Sequence, residues 1–211
     1  MDKIKDYDGK LSPKDTYSPN EIETLRRERN CVPDVTSRTI MQKVVPECGL
    51  EEYINPDTIK KPWLREGAVG GFVAKAEDAA PFTNSMSETY ESMRLDYCTS
   101  PYTDAEQNLY IVRFLTDESD IVKYEIPYSP EFKGDMTASN PNQQQIPNRT
   151  NGNTPPCTEN GFTGSSQYLI PETYYERSKI EEGAIFKIDN MGNESLVAIF
   201  DGSKFISVNS K

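Results

Sequence analysis

The sequence predicts an α+β domain in which short N-terminal helices precede a β-rich region. A capped segment with a helical apolar pattern follows Ser18-Pro19-Asn20. From Pro62 onward, short apolar runs rich in β-branched and aromatic residues alternate with turn residues. Two of the last runs flank Asn190-Met191-Gly192-Asn193, which is a strong hairpin turn signal. A chain of 211 residues is long enough for one such domain with an attached arm.

The N-terminal part of the chain predicts a tail and a helical arm. Residues 1–20 are charged and lack an apolar period, so we expect a flexible tail. Ser18 offers a cap for a helix that ends near Asn30, with acidic residues before basic ones, the order that the helix dipole favours. Residues 34–45, bracketed by prolines, predict a second helix. Residues 21–60 are therefore expected to form a helical N-terminal arm.

The rest of the chain, residues 61–211, predicts the β-rich domain. Its strand-length apolar runs are GGFVAKA, LYIVRFL, IVKYEIPY, AIFKID, LVAIFDG and KFISV. Asp201-Gly202 marks a turn between the last two runs. Residues 134–161 are rich in Pro, Asn and Gln and have no apolar period, so we expect a long surface loop there.

Charge and hydropathy exclude two broad classes of function. The formal net charge of -11 and the pI near 4.6 oppose binding to a phosphate backbone, so we expect no nucleic-acid partner. No run approaches the length of an apolar membrane span, and we expect no membrane partner. The first residues contain no apolar core of a signal peptide, so any export is expected to use another route.

Cysteine and histidine usage limits the possible chemistry. The four cysteines have no CxxC spacing and the chain has no histidine, which argues against a zinc site, and we expect no metal. Their even number suits one or two disulfides, and reduced thiols fit equally well. Without histidine, nucleophilic triads are excluded, and chemistry would depend on Arg, Glu, Asp, Gln, Ser, Thr or Tyr.

Two segments carry candidate binding residues. In the first, Arg65 precedes Gly70-Gly71, where glycines let the backbone approach a ligand and a guanidinium could hold a pyrophosphate. The plainer interpretation is a solvated arginine and a tight turn. In the second, Gln167 lies between the small residues of 161–166 and an apolar strand, where its amide could hold a ribose hydroxyl or orient a water. A structural glutamine explains this pattern as well.

The acid-rich stretch from Glu77 to Asp120 is a third candidate. Its carboxylates match no calcium loop, so a solvated face is the favoured interpretation. Arg113 lies inside the apolar run Leu109 to Leu115, where a charge needs either a partner or an exposed face, and we expect exposure.

Taken in order, these segments resemble the tuberculosis-necrotizing-toxin family of NAD glycohydrolases. The corresponding stretches lie between about residues 60 and 190. They are Leu64-Arg65-Glu66-Gly67 to Phe72-Val73-Ala74, Ala80-Pro81-Phe82, Leu109-Tyr110-Ile111-Val112, Pro130-Glu131-Phe132 and Gly164-Ser165-Ser166-Gln167-Tyr168-Leu169.

The resemblance implies an ADP-ribosyltransferase-like core of two small sheets around a cleft that binds NAD. It implies catalytic roles for Arg65, on the phosphate side, and for Gln167, near the reacting ribose. Gly71, Phe72, Phe82 and Tyr168 become candidates for contact with NAD, since aromatic faces suit nicotinamide and adenine. NAD would be the substrate, with no resident cofactor. The family's better-known members carry a site histidine, which this chain lacks.

The resemblance further implies a secreted toxin domain, or one delivered into a target cell, with a cognate immunity protein as a possible partner. Two other functions stay open. A mono-ADP-ribosyltransferase would transfer ADP-ribose to a protein, although no Glu-x-Glu or Gln-x-Glu pair precedes a strand convincingly. A non-enzymatic surface or interaction module would explain the acidity, tyrosines and loops without an active site.

Overall fold

One curled sheet dominates the part of the chain that the structure describes. The structure is a computed structural model, and it describes residues 17–59, 61, 65–93, 95, 102, 108–117, 119, 124–128, 143–145, 161–164 and 168–208. Within them the chain forms an α+β fold with a sheet of nine strands and a second sheet of two. The α+β class predicted from the sequence is confirmed. No helix in these ranges is both long and apolar enough to cross a membrane.

The described elements alternate helices and strands in the first half and are mostly strands in the second. The helices are α1 (Pro19–Asn30), α2 (Glu51–Ile54), α3 (Ala76–Ala79) and α4 (Met86–Ser92). Short 3-10 turns lie at Glu47–Gly49, Pro56–Thr58 and Ala80–Phe82. The strands are β1 (Ile40–Val45), β2 (Ala68–Lys75), β3 (Leu109–Leu115), β4 (Tyr124–Tyr128), β5 (Gln143–Gln145), β6 (Phe162–Thr163), β7 (Ile170–Pro171), β8 (Thr173–Lys179), β9 (Gly183–Ile188), β10 (Glu194–Phe200) and β11 (Phe205–Ser207).

The large sheet has the strand order β11-β10-β9-β3-β1-β2-β8-β4-β5. Neighbouring strands are antiparallel except for β4 and β5, which are parallel. β6 and β7 form the small sheet, with Thr163 opposite Ile170. Because β1 lies at the centre of this order, the N-terminal part of the chain contributes to the sheet.

The predicted helix at residues 34–45 is wrong, because Ile40–Val45 forms β1. This strand pairs with β3 along its whole length, from Ile40 opposite Leu115 to Val45 opposite Tyr110. Its β-branched residues pack well on both faces of a sheet, and that packing outweighs their weak helical preference. Residues 21–60 are therefore not a separate helical arm.

The first helix is confirmed. Ser18 caps α1 and its hydroxyl accepts a hydrogen bond from the Glu21 N–H, while the Glu21 carboxylate accepts one from the Ser18 N–H at 2.7 Å. This reciprocal pair satisfies two backbone donors at the start of the helix. α1 buries Leu25, which packs with Tyr17 and Phe162. The predicted tail lies outside the described residues up to residue 16, and Tyr17 is buried.

The predicted strand runs and turns of the second half are confirmed. β9 and β10 flank the turn at 190–193, where the Asp189 carboxylate accepts hydrogen bonds from the N–H groups of Met191 and Asn193. The Asp201 carboxylate does the same for the turn before β11. β5 lies within the predicted loop at 134–161, and most of that stretch lies outside the described residues.

Two turns bring the β10–β11 edge of the curled sheet against the start of β2. Gly67, just before β2, lies so close to Ser203 that a side chain at Gly67 would overlap the Ser203 carbonyl. Glu66 and Lys204 pair across the same contact at 3.8 Å. Eight strands contribute side chains to one core on the enclosed side, called the inner face below. From α2, Tyr53 joins this core and meets the Phe205 ring edge-on at 6.2 Å.

Candidate functional site

Two of the predicted aromatic residues lie together. The rings of Phe82 and Tyr168 are 4.2 Å apart between centroids and tilted by 36°. Phe82 packs against a small core that includes Ala79 and Ile170, whereas Tyr168 is 48% exposed. We call these two residues the aromatic pair. Phe82 packs against the Tyr168 ring, and the exposed part of Tyr168 offers a surface on which a planar base can stack.

Gln167 lies outside the described residues, and Gly164 and Tyr168 are the described residues that flank it most closely. Tyr168 follows Gln167 directly in the sequence. On the other side, Gly164 follows β6, whose pairing with β7 holds Thr163 opposite Ile170. Gly164 and Tyr168, the described residues on either side of 165–167, lie against each other, since a Cβ at Gly164 would overlap the Tyr168 carbonyl oxygen.

Arg65 lies at the other end of β2. It is exposed, and its carbonyl accepts a hydrogen bond from the Ala68 N–H at 3.1 Å in the turn that precedes the strand. The aromatic pair lies beyond Lys75, where β2 ends, and a strand of 8 residues spans roughly 25 Å. The structure therefore does not bring Arg65 together with Phe82 and Tyr168.

Gly71 and Phe72 point to opposite faces of β2. The Phe72 ring contacts the ring of Tyr174, its partner on β8, edge-on at 5.4 Å. Gly71 faces inward and has φ +92°, a backbone conformation that favours glycine. A Cβ added at Gly71 would lie 3.1 Å from the Nζ of Lys43. Gly71, one of the predicted contact residues, thus lies beside a group of side chains that is separate from the aromatic pair.

Lys43 places a positive charge on the inner face. β1 and β2 pair at Met41 and Gln42 and then separate. Lys43 Nζ occupies this opening and donates a hydrogen bond to the Phe72 carbonyl at 3.3 Å. The side chain is part-exposed, yet enough protein surrounds the ammonium that burial lowers the pKa of Lys43 to about 8.

A bulge in β8 brings Arg177 to the same place. The register passes from Val69 opposite Ser178 to Gly71 opposite Tyr175, so two residues of β8 face Gly70 alone. Only glycine fits at position 70, because a side chain there would overlap the backbone of Arg177. The guanidinium donates to the Ala68 carbonyl at 3.4 Å, and it also interacts electrostatically with Tyr53.

The charges around this group do not balance. Arg177 adds to the lowering of the Lys43 pKa, after the larger effect of burial. Glu52 acts in the opposite direction, but its carboxylate forms an ion pair with Lys61. No described carboxylate forms a salt bridge with Lys43 or Arg177. Burial raises the pKa of Tyr53 to about 12, so this phenol keeps its proton at neutral pH.

Sequence reasoning missed this group, which we call the inner cationic site: Lys43, Arg177 and Tyr53 beside Gly70-Gly71. One signal was present, since Lys43 interrupts the apolar run IMQKVV and β1 would place it on the face of Met41 and Val45. The assignment of that run to a helix concealed the signal. No such sequence signal marked Arg177, because the bulge in β8 determines which face of the sheet its side chain occupies.

The structure also describes Arg113 and two of the four cysteines. The expected exposure of Arg113 is wrong: the side chain is part-buried and has a partner, because its guanidinium donates to both carboxylate oxygens of Glu194, at 2.7 and 2.6 Å. It also lies over the Phe186 ring, with its central carbon 5.0 Å from the centroid. Cys31 and Cys48 are exposed free thiols, and the other two cysteines lie outside the described residues.

Comparison with known proteins adds no relative. No family model matches the chain, and neither a curated protein nor a solved structure matches it. Function is therefore inferred from the residues and their geometry, together with the resemblance to the NAD glycohydrolases.

Proposed function

We propose that the protein is an NAD glycohydrolase that cleaves NAD to nicotinamide and ADP-ribose. One observation carries the proposal. Ala80-Pro81-Phe82 and Gly164–Leu169 are two separate stretches of the resemblance, and their aromatic residues meet as the aromatic pair. In the proposal the substrate's planar base stacks on the exposed face of Tyr168, and Phe82 supports that ring.

Gln167 is the proposed residue next to the reacting ribose. Hydrolysis breaks the bond between ribose C1′ and the nicotinamide nitrogen. The electron pair of that bond leaves with neutral nicotinamide. The oxygen of a water molecule bonds to C1′ and its proton passes to solvent. An amide cannot remove that proton, but it can orient the water or hold a ribose hydroxyl as the oxocarbenium-like state forms.

The proposal leaves Arg65 outside the site, because β2 separates it from the aromatic pair. The resemblance favours a phosphate-side role for this residue and the geometry opposes it. As the resemblance implies, the proposed setting is a toxin domain that is secreted or delivered into a target cell. NAD would then be its substrate and an immunity protein its cognate partner.

The test is to incubate the purified protein with NAD and to quantify nicotinamide and ADP-ribose. We expect release by the wild type, and a decrease of at least tenfold in Gln167→Ala and Tyr168→Ala, since each removes about 1.4 kcal/mol or more of transition-state stabilisation. Met191→Ala, at a side chain that is 82% exposed, is the surface control. Arg65→Ala separates the two arguments, because geometry predicts normal release and the resemblance predicts a loss.

Each further outcome has a defined meaning. Transfer of labelled ADP-ribose to protein, with little free ADP-ribose, would replace hydrolysis by mono-ADP-ribosyltransferase activity. No release, together with no NAD binding by calorimetry, would overturn the proposal and favour a non-enzymatic interaction module.

A further inference from the structure

We propose that the inner cationic site binds a phosphate group of a small-molecule ligand. This inference is independent of the NAD glycohydrolase proposal, because it uses none of Gln167, Phe82 and Tyr168. It rests on the charges, hydrogen bonds and space around Lys43 and Arg177.

The charge of the site is incomplete without an anion. Lys43 and Arg177 both face the enclosed side of the sheet, and Glu52, the carboxylate that interacts with Lys43, is paired with Lys61. An enclosed cation without a counter-charge costs free energy, because the lost hydration is not replaced. A bound anion would supply the missing charge. This arrangement stands out in a chain whose net charge is -11.

The backbone leaves room for a ligand beside the ammonium. Gly71 lies where any other residue would place a Cβ 3.1 Å from Lys43 Nζ. β1 and β2 have separated at this point, and Lys43, Gly71 and Arg177 are all part-exposed. Solvent, and hence a small anion, can therefore reach the space between the two strands.

The donors favour phosphate over carboxylate. A guanidinium has five N–H donors, and among the described residues Arg177 donates one hydrogen bond, to the Ala68 carbonyl. The ammonium of Lys43 has three donors and gives one to the Phe72 carbonyl. Arginine binds two oxygens of a phosphate in parallel, and lysine binds a further oxygen as a point charge. A carboxylate has only two oxygens, so it cannot give the arginine two oxygens and the lysine a third oxygen of its own.

The test measures binding of inorganic pyrophosphate and inorganic phosphate by calorimetry at pH 7. We expect saturable binding by the wild type, and about tenfold or greater weakening in Lys43→Met and in Arg177→Met, because each removes a charge-assisted hydrogen bond. Lys187→Met is the matched control, a lysine on β9 that is also part-exposed, and it should bind normally. Thermal melting of each variant checks that the fold is retained.

A second readout keeps the proposal testable if Arg177→Met does not fold. In wild-type protein with labelled lysine, pyrophosphate should shift the Lys43 ε resonance more than those of the other lysines. Absence of saturable binding, equal binding by wild type and Lys43→Met, or a shift elsewhere with none at Lys43 would overturn the proposal. Nicotinamide release measured on Lys43→Met separates the two proposals, because loss of pyrophosphate binding with release retained would leave the NAD proposal standing.

Discussion

Lys43 is expected to lower the stability of the fold at neutral pH. Its folded-state pKa of about 8 lies below the value of 10.5 for a free lysine, so the unfolded chain binds more protons between those values. The free energy of unfolding therefore rises with pH across that window. At pH 7 the ammonium carries the full cost of its burial and of its repulsion by Arg177.

Lys43→Met should consequently stabilise the ligand-free protein by about 1 to 2 kcal/mol at pH 7, allowing for the solvent that reaches the part-exposed ammonium. The gain should shrink as pH rises from about 8 toward 10.5. Urea denaturation of both proteins at pH 7 and pH 9.5 measures the difference. A gain that is the same at both pH values would contradict the assigned cause.

At the residue level, the sequence identified one neighbourhood and missed another. The resemblance named Phe82 and Tyr168 separately as candidates for contact with NAD, and their rings lie together. Lys43 and Arg177 were not predicted, because their proximity depends on a strand separation and on a bulge. Both are tertiary features: they arise from how strands far apart in the chain pair with one another, and no local pattern of residue types encodes them.

Among the elements, α1 depends most clearly on a single side chain. Ser18→Ala removes the capping hydroxyl, and the Glu21 N–H loses its acceptor. We expect a loss of about 1 kcal/mol, typical of serine caps. The urea midpoint should fall for Ser18→Ala and stay nearly constant for Ser87→Ala, an exposed serine inside α4. Equal effects of the two changes would show that the cap does not stabilise α1 in the folded protein.

The predictability of each element follows the strength of its local signal. α1 has a cap, a first-turn acid and a proline at its start, and all three act within one turn. β1 has only six residues and no alternation of polarity, because both of its faces are covered. β8 contains Glu176, Arg177 and Lys179 among its seven residues, so it resembles a loop. β8 forms a strand because it pairs with β2 on one side and β4 on the other, which its composition does not indicate.

For the whole molecule, the contact between Gly67 and Ser203 connects two parts of the sheet. Gly67→Ala would combine a strained φ of +67° with overlap on the Ser203 carbonyl. We expect a loss of more than about 2 kcal/mol, since left-handed strain alone costs about 1 to 2 kcal/mol. Gly202→Ala has a similar positive φ with no atom within 4 Å, so it should show only the strain.

Hydrogen exchange locates the effect. Amides of β10 and β11 should exchange faster in Gly67→Ala than in Gly202→Ala, because the contact that holds the hairpin against the start of β2 is disturbed. Faster exchange confined to the 65–68 turn would contradict this account. The closure itself could not be predicted from the sequence, since Gly67 and Ser203 both lie in ordinary turn segments and only the curl of the sheet brings them together.

The glycine pair at 70–71 has a consequence for how such a protein could diversify. Gly70 makes the bulge of β8 possible, and Gly71 leaves space beside Lys43. The shape of the sheet at the bulge and the space beside Lys43 therefore depend on two adjacent positions. In the proposed phosphate site, a change of ligand preference is therefore expected to involve α2, a short helix from which Glu52 interacts with Lys43 and Tyr53 interacts with Arg177.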